Sequence, residues 1–532
     1  MLQEIKFYSK MAWGIRQFLR TPPIGDPDAY VRECLASRDT NFLSLVERGI
    51  FNHSPSPYNE MFRLAGCTLG DLRNEVNRAG VEATLRRLRE AGVYLTHDEF
   101  KAKSPIVRSG REIPSNDASF RNPQVANALS EGISSGSRSK GTRSARSIGR
   151  LLQREAHFKI RNREFDLGNR IRIELKPILP SGTGLGPGQR GHREGHPVEK
   201  WFAVGGGLRD SGHYRMVTHC LVRWTRLLGA PAQLPTYLAP NDFSLVAEYI
   251  ARRKREGAPA AVHAFPSPAV RVAAAAVEHG IDISGTIFFV GGEALTDAKR
   301  ATIELAGAEV YPFYPISEVG PVGSSCRQMN KGNCVHLFDD NVVAYVHRRR
   351  AALSDAHVNA LQFTSLMPFC PHVLVNAEMD DAGVIGPATC DCSYTRLGLT
   401  RQVSEIFSFG KLTGQGMTLV GTDLLKILEE VLPAQLGGAP GDFQLVEREG
   451  AAQTEVTLRV NPRIQASPDK IRECFLRELK NFYGGSLASR MWTHANGVQI
   501  ISGQPYATRT GKIHALHLLS PESQQSEVVN AS

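Results

Sequence analysis

The chain has 532 residues, of which 42 % are hydrophobic and 22 % are charged, as in an average soluble globular protein. Because one hydrophobic core stops growing at about 250–300 residues, we expect at least two domains. The formal net charge of +10 at pH 7 favours polyanionic ligands, a class that includes nucleotides, nucleic acid and anionic membrane surfaces. Composition therefore excludes a globally disordered chain but does not choose among these ligands.

The sequence shows neither a membrane-spanning segment nor a secretory signal. Even the Ala-rich stretch at 269–277, interrupted by Arg271, falls short of the roughly 20 apolar residues that a membrane helix needs. Residues 1–20 scatter charges among apolar side chains and lack the continuous apolar stretch of a signal peptide. Nine cysteines, an odd number without such a signal, favour thiols or metal ligands over disulfides. We therefore predict a cytoplasmic protein.

Residues 1–100 are predicted to form a helical region that packs on the next domain. Val81, Leu85, Leu88 and Val93 recur near the helical period, which predicts an apolar packing face. Residues 178–197 collect Gly, Pro and charge, and we expect a loop there. Their GTGLGPG sequence is superficially like a dinucleotide fingerprint, but Pro187 and the charged run after it leave no room for the helix that such a fingerprint opens.

Residues 240–316 alternate helix and strand patterns. The amphipathic stretches FSLVAEYIARRKRE, AVRVAAAAVEHG and DAKRATIELAG alternate with the apolar segments AAVHAF, GTIFFVGG and EVYPFY. This βαβ pattern predicts a mostly parallel sheet covered by helices. We assign residues 101–408 to this large domain.

After about residue 405 the pattern changes to that of a small α+β unit. A helix at 422–432 precedes the strands FQLVERE and TEVTLRV, the helix IRECFLRELKNF and the strand GVQII. We assign residues 409–518 to a small C-terminal domain and expect residues 519–532 to be a disordered tail. The predicted fold class is therefore α/β, with a large N-terminal domain and a smaller α+β C-terminal one.

Residues 134–142, SSGSRSKGT, have the composition of a phosphate-binding loop. Small residues let backbone amides approach phosphate oxygens, and Arg138 and Lys140 add positive charge. The same composition is typical of a solvated linker, so the segment alone leaves both interpretations open.

A second segment follows the pattern of a strand that ends in a ligand site. GGEALT at 291–296 is followed about twenty residues later by VYPFYPISEVGP, where Phe313 and Tyr314 precede a carboxylate, Glu318. Open parallel sheets bind ligands at the carboxyl ends of their strands. A buried strand with an ordinary surface glutamate would show the same pattern.

Taken in order, SSGSRSKGT, GGEALT, FYPISEVG, NAEMDD and TRTGKIHAL resemble the motifs of the adenylate-forming (acyl/aryl-CoA synthetase) superfamily. The surrounding sequence is most similar to its phenylacetate-CoA ligase branch, and the similarity runs from about residue 120 to 515. The resemblance implies a large domain and a smaller, mobile C-terminal domain. It also implies that ATP, Mg²⁺ and a carboxylic acid meet between these two domains.

The resemblance also implies residue roles. The serine-rich loop would hold the pyrophosphate end of ATP, the Gly-Gly-Glu turn would border the adenine, and Tyr314 would pack on the base. Glu318 would bind Mg²⁺, Asp381 the ribose hydroxyls, and Lys512 the acid carboxylate and bridging oxygen. The implied nucleotide-binding residues are Ser135, Gly136, Ser137, Lys140, Gly291, Gly292, Glu293, Tyr314, Ser317 and Asp381, and the implied catalytic residues are Lys512 and Glu318.

The sequence departs from the family motifs in four places. Pro315 replaces the usual Gly after Tyr314, and Met379 and Asp380 replace Thr-Gly before Asp381. Two further departures fall in the phosphate loop and in the interdomain hinge, at Arg138 and Ser139 and at Gly410, Lys411 and Gln415. These replacements make a non-catalytic nucleotide- or acyl-binding relative an alternative hypothesis.

Some members of the branch carry a zinc ion held by a Cys and a His after the magnesium glutamate and by a later Cys-x-Cys pair. Cys326, His336, Cys390 and Cys392 match this pattern, and Cys334 is a substitute ligand. Four N/S ligands with no open position would make a structural zinc site. Unrelated thiols and a surface histidine are the other interpretation of the same residues.

The acid pocket is expected between the segment around His263 to Phe265 and the strand ending at Tyr314, with aromatic and apolar walls that suit an aryl or medium acyl group. The basic residues at 138–163 are interrupted by a single aromatic, Phe158, so we expect a solvated face beside the ATP site and no nucleic-acid partner.

The favoured hypothesis is a two-step ligase. The acid is converted to acyl-AMP with release of pyrophosphate, and a thiol, most simply that of coenzyme A, then displaces AMP. In the alternatives, an acyl carrier protein, an amine or a protein cysteine accepts the acyl group.

Overall fold

The computed structural model describes most of the chain. The described residues are 2–116, 118–125, 129–133, 143–181, 183–204, 212–239, 242–330, 332–350, 357–408, 413–414, 417–418, 421–449, 454–480, 498–508 and 511–519. The predicted tail therefore lies outside them, except for residue 519.

The N-terminal hundred residues are helical, as predicted. The longest helix, α5, starts with a capping box in which Thr68 and Asp71 bond each other's backbone amides. Its Val81, Leu85 and Leu88 are buried. The helices of this region are α1 (Leu2–Arg20), α2 (Pro27–Ala36), α3 (Arg38–Val46), α4 (Tyr58–Leu64), α5 (Leu69–Glu90) and α6 (His97–Phe100).

Asn376 ties the helical region to the central sheet. Its backbone lies in the left-handed region, with φ of +51°. Its fully buried amide nitrogen donates hydrogen bonds to the carbonyls of Leu85 (2.8 Å) and Val93 (3.0 Å). Its amide oxygen accepts a hydrogen bond of 2.9 Å from the hydroxyl of Tyr345. One side chain thus satisfies groups from three separate segments.

A twelve-stranded mixed sheet forms the centre of the molecule, in the order β13-β14-β15-β16-β12-β11-β10-β9-β8-β5-β6-β7. Its first strands in sequence are β5 (Ile171–Leu175), β6 (Val198–Ala203), β7 (Pro235–Tyr237), β8 (Ala260–Ala264), β9 (Ile287–Val290) and β10 (Glu309–Ile316). Its later strands are β11 (Gly320–Ser324), β12 (Val335–Leu337), β13 (Val342–Arg350), β14 (His357–Ser365), β15 (Ala377–Pro387) and β16 (Arg401–Ser408).

The strands β5 to β10 form the predicted parallel half. Buried apolar residues join these strands to α10, α11 and α12. The helices between β4 and β10 are α7 (Ile148–Glu164), α8 (Leu185–Arg190), α9 (Gly212–Leu227), α10 (Ser244–Arg255), α11 (Pro266–Glu278) and α12 (Asp297–Leu305). The α/β fold class is confirmed.

The other half of the sheet is antiparallel, so the sheet is mixed rather than mostly parallel. Strand β10 pairs in parallel with β9 and antiparallel with β11. From β10 to β15 successive strands are joined by connections shorter than the helical crossover that parallel neighbours need. A short helix, α13 (Ser393–Arg396), precedes β16, and two hairpins lie outside the sheet: β1 (Ile106–Arg108) with β2 (Arg111–Ile113), and β3 (Ser130–Ile133) with β4 (Arg143–Arg146).

The C-terminal part has its own four-stranded sheet, in the order β21-β20-β19-β22. This sheet shares an apolar core with the helices around it, which agrees with the predicted α+β pattern. Its elements are α14 (Gly421–Lys426), α15 (Leu432–Leu436), β19 (Phe443–Glu449), β20 (Thr454–Val460), α16 (Pro468–Leu479), β21 (Val498–Ser502) and β22 (Leu516–Leu519), and a small hairpin of β17 (Thr413–Gly414) and β18 (Met417–Thr418) precedes them.

The expectation of a loop throughout residues 178–197 was wrong, because α8 forms within it. Pro187 is the third residue of this helix, within the first turn, where the missing amide hydrogen of proline costs no helical hydrogen bond. Gly184, just before the helix, packs against Trp201, where a Cβ would come within 2.3 Å of the indole ring. Among the described residues, no helix is long and apolar enough to cross a membrane.

We expect Asn376→Ala to destabilise the protein by about 2–4 kcal/mol, because it leaves two carbonyls and a hydroxyl without their buried partner. Thermal denaturation should show the Tm falling by about 2–4 °C, because the unfolding entropy of a chain of this size is large. The matched control is Asn359→Ala on β14, where the side chain is exposed, and it should change the stability by less than about 0.5 kcal/mol. Equal effects of the two variants would contradict the role assigned to Asn376.

Candidate active site

A cavity of about 840 Å³ opens at the carboxyl ends of the parallel strands. Lys176 follows β5, Phe265 follows β8, Gly291 follows β9 and Ser317 follows β10, and all four line it. The small C-terminal unit closes the cavity on another side with Lys512. This is the edge where open α/β sheets bind ligands.

The structure brings most of the predicted site residues to this cavity. The predicted residues that line it are Gly291, Gly292, Glu293, Tyr314, Ser317, Glu318, Asp381 and Lys512. Ser135, Gly136, Ser137 and Lys140 of the predicted phosphate loop lie outside the described residues, as do Gly410, Lys411 and Gln415 of the predicted hinge. Ser144 and Arg146, which follow the loop in sequence, also line the cavity.

Tyr314 and Asp381 meet across the sheet from β10 and β15. The Tyr314 hydroxyl donates a hydrogen bond of 2.6 Å to Oδ2 of Asp381. Burial, followed by the nearby Asp381 carboxylate, raises the pKa of Tyr314 well above its ordinary value, so the hydroxyl keeps its proton. The tyrosine ring and the carboxylate are therefore held in one fixed arrangement at the cavity wall.

Two of the departures from the family motifs occupy irregular backbone. The pairing of β10 with β11 shifts register between Tyr314 and Pro315, and a bulge is a position where a strand tolerates proline. Asp380 has a φ of +68°, in the left-handed region that favours glycine and that aspartate also tolerates. The chain keeps the irregular geometry although neither residue is glycine.

Glu318 is paired with a cation from the N-terminal region. Nζ of Lys101 lies 2.6 Å from Oε1 of Glu318, and Glu318 is only 7 % exposed. Burial alone would raise the pKa of Glu318, but the Lys101 ammonium outweighs it and holds this pKa below the ordinary value. Glu318 is therefore ionised, as a Mg²⁺ ligand must be, and it already faces a positive charge.

The Gly-Gly-Glu turn contacts both the large sheet and the small unit. A Cβ on Gly291 would come within 2.3 Å of the Phe313 carbonyl oxygen, and Gly292 has a φ of +87°. Glu293 turns its Oε2 toward the N-terminus of α11, where it accepts hydrogen bonds from the amide (3.1 Å) and hydroxyl of Ser267. Glu293 therefore fixes the turn against α11.

Lys512 reaches the cavity from a tight turn in the small unit. The Thr508 amide donates to the Lys512 carbonyl (2.8 Å), and Gly511 takes a φ of +80°. Nζ of Lys512 donates a hydrogen bond of 2.7 Å to the Gly292 carbonyl and lies 4.7 Å from the centre of the Phe265 ring. The small unit thus places its lysine directly at the Gly-Gly-Glu turn.

The prediction that the basic residues at 138–163 form a solvated face was wrong for three arginines on α7, whereas Arg163 on the same helix is exposed. Arg150, Arg154 and Arg161 line the cavity, because spacings of four and seven residues place them along one face of a helix. Arg161 is 3 % exposed, and its guanidinium lies 3.2 Å from Nε2 of His263. The spacing of these arginines was the signal that could have indicated an inward-facing row.

We call Arg154, Arg161, Lys176 and Arg190 the cationic wall. Lys176 and Arg190 are each 6 % exposed. Burial is the main cause that lowers the pKa of Lys176 to about 7, although the Glu174 carboxylate acts in the opposite direction. The predicted aromatic walls are present as Phe158, Phe265 and Phe313, but charged side chains share the same surface.

A second constellation lies away from this cavity. Ligand atoms of Cys326, His336, Cys390 and Cys392 all lie within 4.8 Å of one another. The Sγ of Cys390 is 3.7 Å from the Sγ atoms of both Cys326 and Cys392, and 3.2 Å from Nε2 of His336. Zinc–sulfur bonds of about 2.3 Å at tetrahedral angles give sulfur–sulfur distances of about 3.8 Å. The donor set therefore fits a tetrahedral metal, and Cys334 is not one of these four residues.

The His336 ring is oriented for metal binding. Its Nδ1 lies 3.1 Å from the Leu399 carbonyl oxygen and donates a hydrogen bond to it. The unprotonated Nε2 therefore faces the thiols with the lone pair that would bind a metal. The sequence alone could not show this contact, because Leu399 is 63 residues away.

The sequence matches no protein-family model and no curated protein. Among solved structures, it is similar to 2-hydroxyisobutyryl-CoA ligase in the postadenylation state in complex with R3-HIB-AMP, with 16 % identity, 97 % of this chain and 94 % of that chain covered, and a TM-score of 0.50. O-succinylbenzoate coenzyme A synthetase from Bacillus subtilis, in complex with ATP and magnesium, matches with 9 % identity, 81 % and 80 % covered, and a TM-score of 0.39. The first of these matches shows that the chain has the fold of the adenylate-forming ligases.

Proposed function

We propose that this protein activates a carboxylic acid with ATP, forming acyl-AMP and pyrophosphate, and then transfers the acyl group to a thiol, in the simplest case coenzyme A. The observation that carries the proposal is the position of Lys512, whose Nζ lies 2.7 Å from the Gly292 carbonyl in the cavity that Glu318 and Asp381 also line.

The nucleotide would be held at the β10 and β15 side of the cavity. The Asp381 carboxylate can accept hydrogen bonds from two neighbouring ribose hydroxyls, and the Tyr314 ring beside it offers a face for the base. Glu318 would hold Mg²⁺, which neutralises phosphate charge when bound. Residues 134–142 would hold the pyrophosphate end.

In the first step, a carboxylate oxygen of the acid forms a bond to the α-phosphorus, and the bond from that phosphorus to the bridging oxygen of pyrophosphate breaks. Negative charge moves onto the bridging oxygen, and the Lys512 ammonium stabilises it there. In the second step, a thiolate attacks the acyl carbon and AMP leaves. The first step needs positioning and charge stabilisation, which the cavity supplies without a protein nucleophile.

The acceptor of the acyl group is the less specific part of the proposal. The alternatives are the thiol of a carrier protein, an amine and a protein cysteine. Offering coenzyme A and each alternative to preformed acyl-AMP, and measuring which one consumes it, distinguishes them.

A non-catalytic nucleotide- or acyl-binding protein is the alternative from another class. The departures at Pro315 and Asp380 motivated it, but both residues sit on backbone that suits them. These two departures therefore give it less support than the sequence suggested.

We predict that Lys512→Ala lowers acid-dependent exchange of pyrophosphate into ATP by about 100- to 1,000-fold, because it removes one positioned charge from the transition state. The control is Lys470→Ala, an exposed lysine on α16 of the same small unit, which should leave exchange unchanged. Circular dichroism should show both variants folded. Normal exchange in Lys512→Ala would remove this lysine from the mechanism.

We also propose that the cluster of Cys326, His336, Cys390 and Cys392 binds a structural zinc ion. With three thiolates and one imidazole, no position remains open for substrate. The ion would join the segment after β11 and the segment after β15 to His336 on β12.

Metal analysis of protein purified without chelators should find one zinc per chain. Cys392→Ala should abolish zinc binding and lower the Tm by at least about 5 °C, because the metal contributes binding free energy only to the folded state. Cys334→Ala is the matched control and should keep the metal. Zinc-free wild-type protein would refute the site, and loss of zinc in Cys334→Ala would show that Cys334 is a ligand.

A further inference from the structure

Among the described residues, the cationic wall carries more positive charge than the carboxylates beside it neutralise. The described carboxylates beside it are Glu174 and Glu194, which are both ion-paired, and Glu293, which accepts hydrogen bonds from Ser267. Glu174 bonds Arg172 and His263, while Glu194 bonds Arg172 and Arg190. These contacts place the fully buried Arg172 between two carboxylates, although its Nη2 has no acceptor, and of the cationic wall they reach only Arg190.

The side chains of Arg154 and Lys176 form no hydrogen bond or ion pair with any described residue. The Arg154 guanidinium stacks over the Phe158 ring at 5.1 Å, and its Nε is buried without a hydrogen-bond acceptor. Nζ of Lys176 lies 4.0 Å from the centre of the Phe265 ring. Aromatic faces attract cations only moderately, so they do not replace a carboxylate at a buried site.

The lowered pKa values of two arginines in the cationic wall show the electrostatic cost of this arrangement. Burial lowers the pKa of Arg161 to about 10, and Arg172 adds to the effect. Burial, with Arg190 next, lowers the pKa of Arg154 well below its ordinary value. A bound anion would remove this penalty, because it restores the charge balance that the protein side chains leave incomplete.

The length of helix α7 sets the distance between the phosphate end of the cavity and the arginines of the cationic wall. Arg150 donates a hydrogen bond of 3.0 Å to the Ser317 carbonyl, next to Glu318. At 1.5 Å per residue, Arg154 lies about 6 Å and Arg161 about 16 Å farther along the helix axis. A nucleotide whose phosphates are held beside Glu318 and whose ribose is held by Asp381, as proposed above, would leave the part of the wall around Arg161 to another ligand.

Lys176 lies between the part of the cavity that contains Lys512 and the part that contains the arginines of the cationic wall. It shares the Phe265 ring with Lys512, the residue proposed to act on the carboxylate that is activated. Beyond Lys176, the space between Arg154, Arg161 and Arg190 also borders Phe158. The order of groups suits an acid with one anionic group at Lys512, an apolar middle and a second anionic group at the arginines.

We propose that the acid bound here carries a second anionic group, a carboxylate or a phosphate, and that the cationic wall binds it. Guanidinium groups match both chemistries, because their planar fork donates two parallel hydrogen bonds to a carboxylate or a phosphate. The inference rests on the proposed function only in naming this ligand as the acid that is activated. It replaces the aryl or medium acyl group expected from the sequence with a dianionic substrate class.

The test is calorimetric binding of three acids of matched length to the full chain without ATP: hexanoate, adipate and 5-phosphonopentanoate. At least one dianionic acid should bind about tenfold or more tightly than hexanoate, since one charged hydrogen bond contributes about 1.5–3 kcal/mol. Arg154→Gln and Lys176→Met should each remove this preference. Arg255→Gln, an exposed arginine at the end of α10, should retain it.

Three results would overturn the inference: hexanoate binding as tightly as both dianions, no dianion binding to folded protein, or displacement of the bound dianion by ATP. The last result would assign the wall to the nucleotide. Comparing adipate with 5-phosphonopentanoate shows whether the second group is a carboxylate or a phosphate.

Pyrophosphate exchange measured with the same acids separates this inference from the proposed function. Exchange with hexanoate alone would support adenylation and overturn the dianionic substrate. Tight dianion binding without exchange by any acid would refute adenylation and leave the wall as an anion-binding site.

Discussion

Strand β10 is the constraint on which the candidate site depends. It pairs in parallel with β9 and antiparallel with β11, so the two halves of the sheet meet along it. Because the chain reverses immediately after β10, Tyr314, Ser317 and Glu318 are all delivered to the carboxyl edge of the parallel half. The antiparallel half then brings Asp381 back to the same place on β15.

The sequence was sufficient where local pattern determines structure. Helix and strand periodicity predicted the parallel half of the large sheet and the small C-terminal sheet, since burial of one face controls both periods. The order of the motifs predicted which side chains gather at one cavity. The antiparallel half was not predicted, because strand direction depends on pairing between distant segments and not on the period of a single strand.

Contacts between residues that are far apart in the chain could not be predicted from the sequence either. Lys101 and Glu318 are 217 residues apart, and neither segment shows that the two charges meet. The arginines of α7 were assigned to solvent because charge usually faces water. Their spacing allowed either face, and only packing against the sheet decides that the row points inward. In the sequence, Pro315 and Asp380 appear only as departures from the family motifs. The bulge and the left-handed backbone that accommodate them depend on the tertiary structure.

The position of the Cys and His cluster in the sheet couples it to the cavity through the backbone. Cys326 follows β11, the strand that begins just after Glu318, and Cys390 follows β15, the strand that contains Asp381. Each of these two strands therefore has a residue of the cavity at or near its first part and a residue of the cluster just after its last residue. A metal ion held by the cluster would therefore anchor the far ends of the two strands that carry the groups proposed to bind magnesium and ribose, so that the rigidity of the cluster contributes to the fixed spacing of those groups.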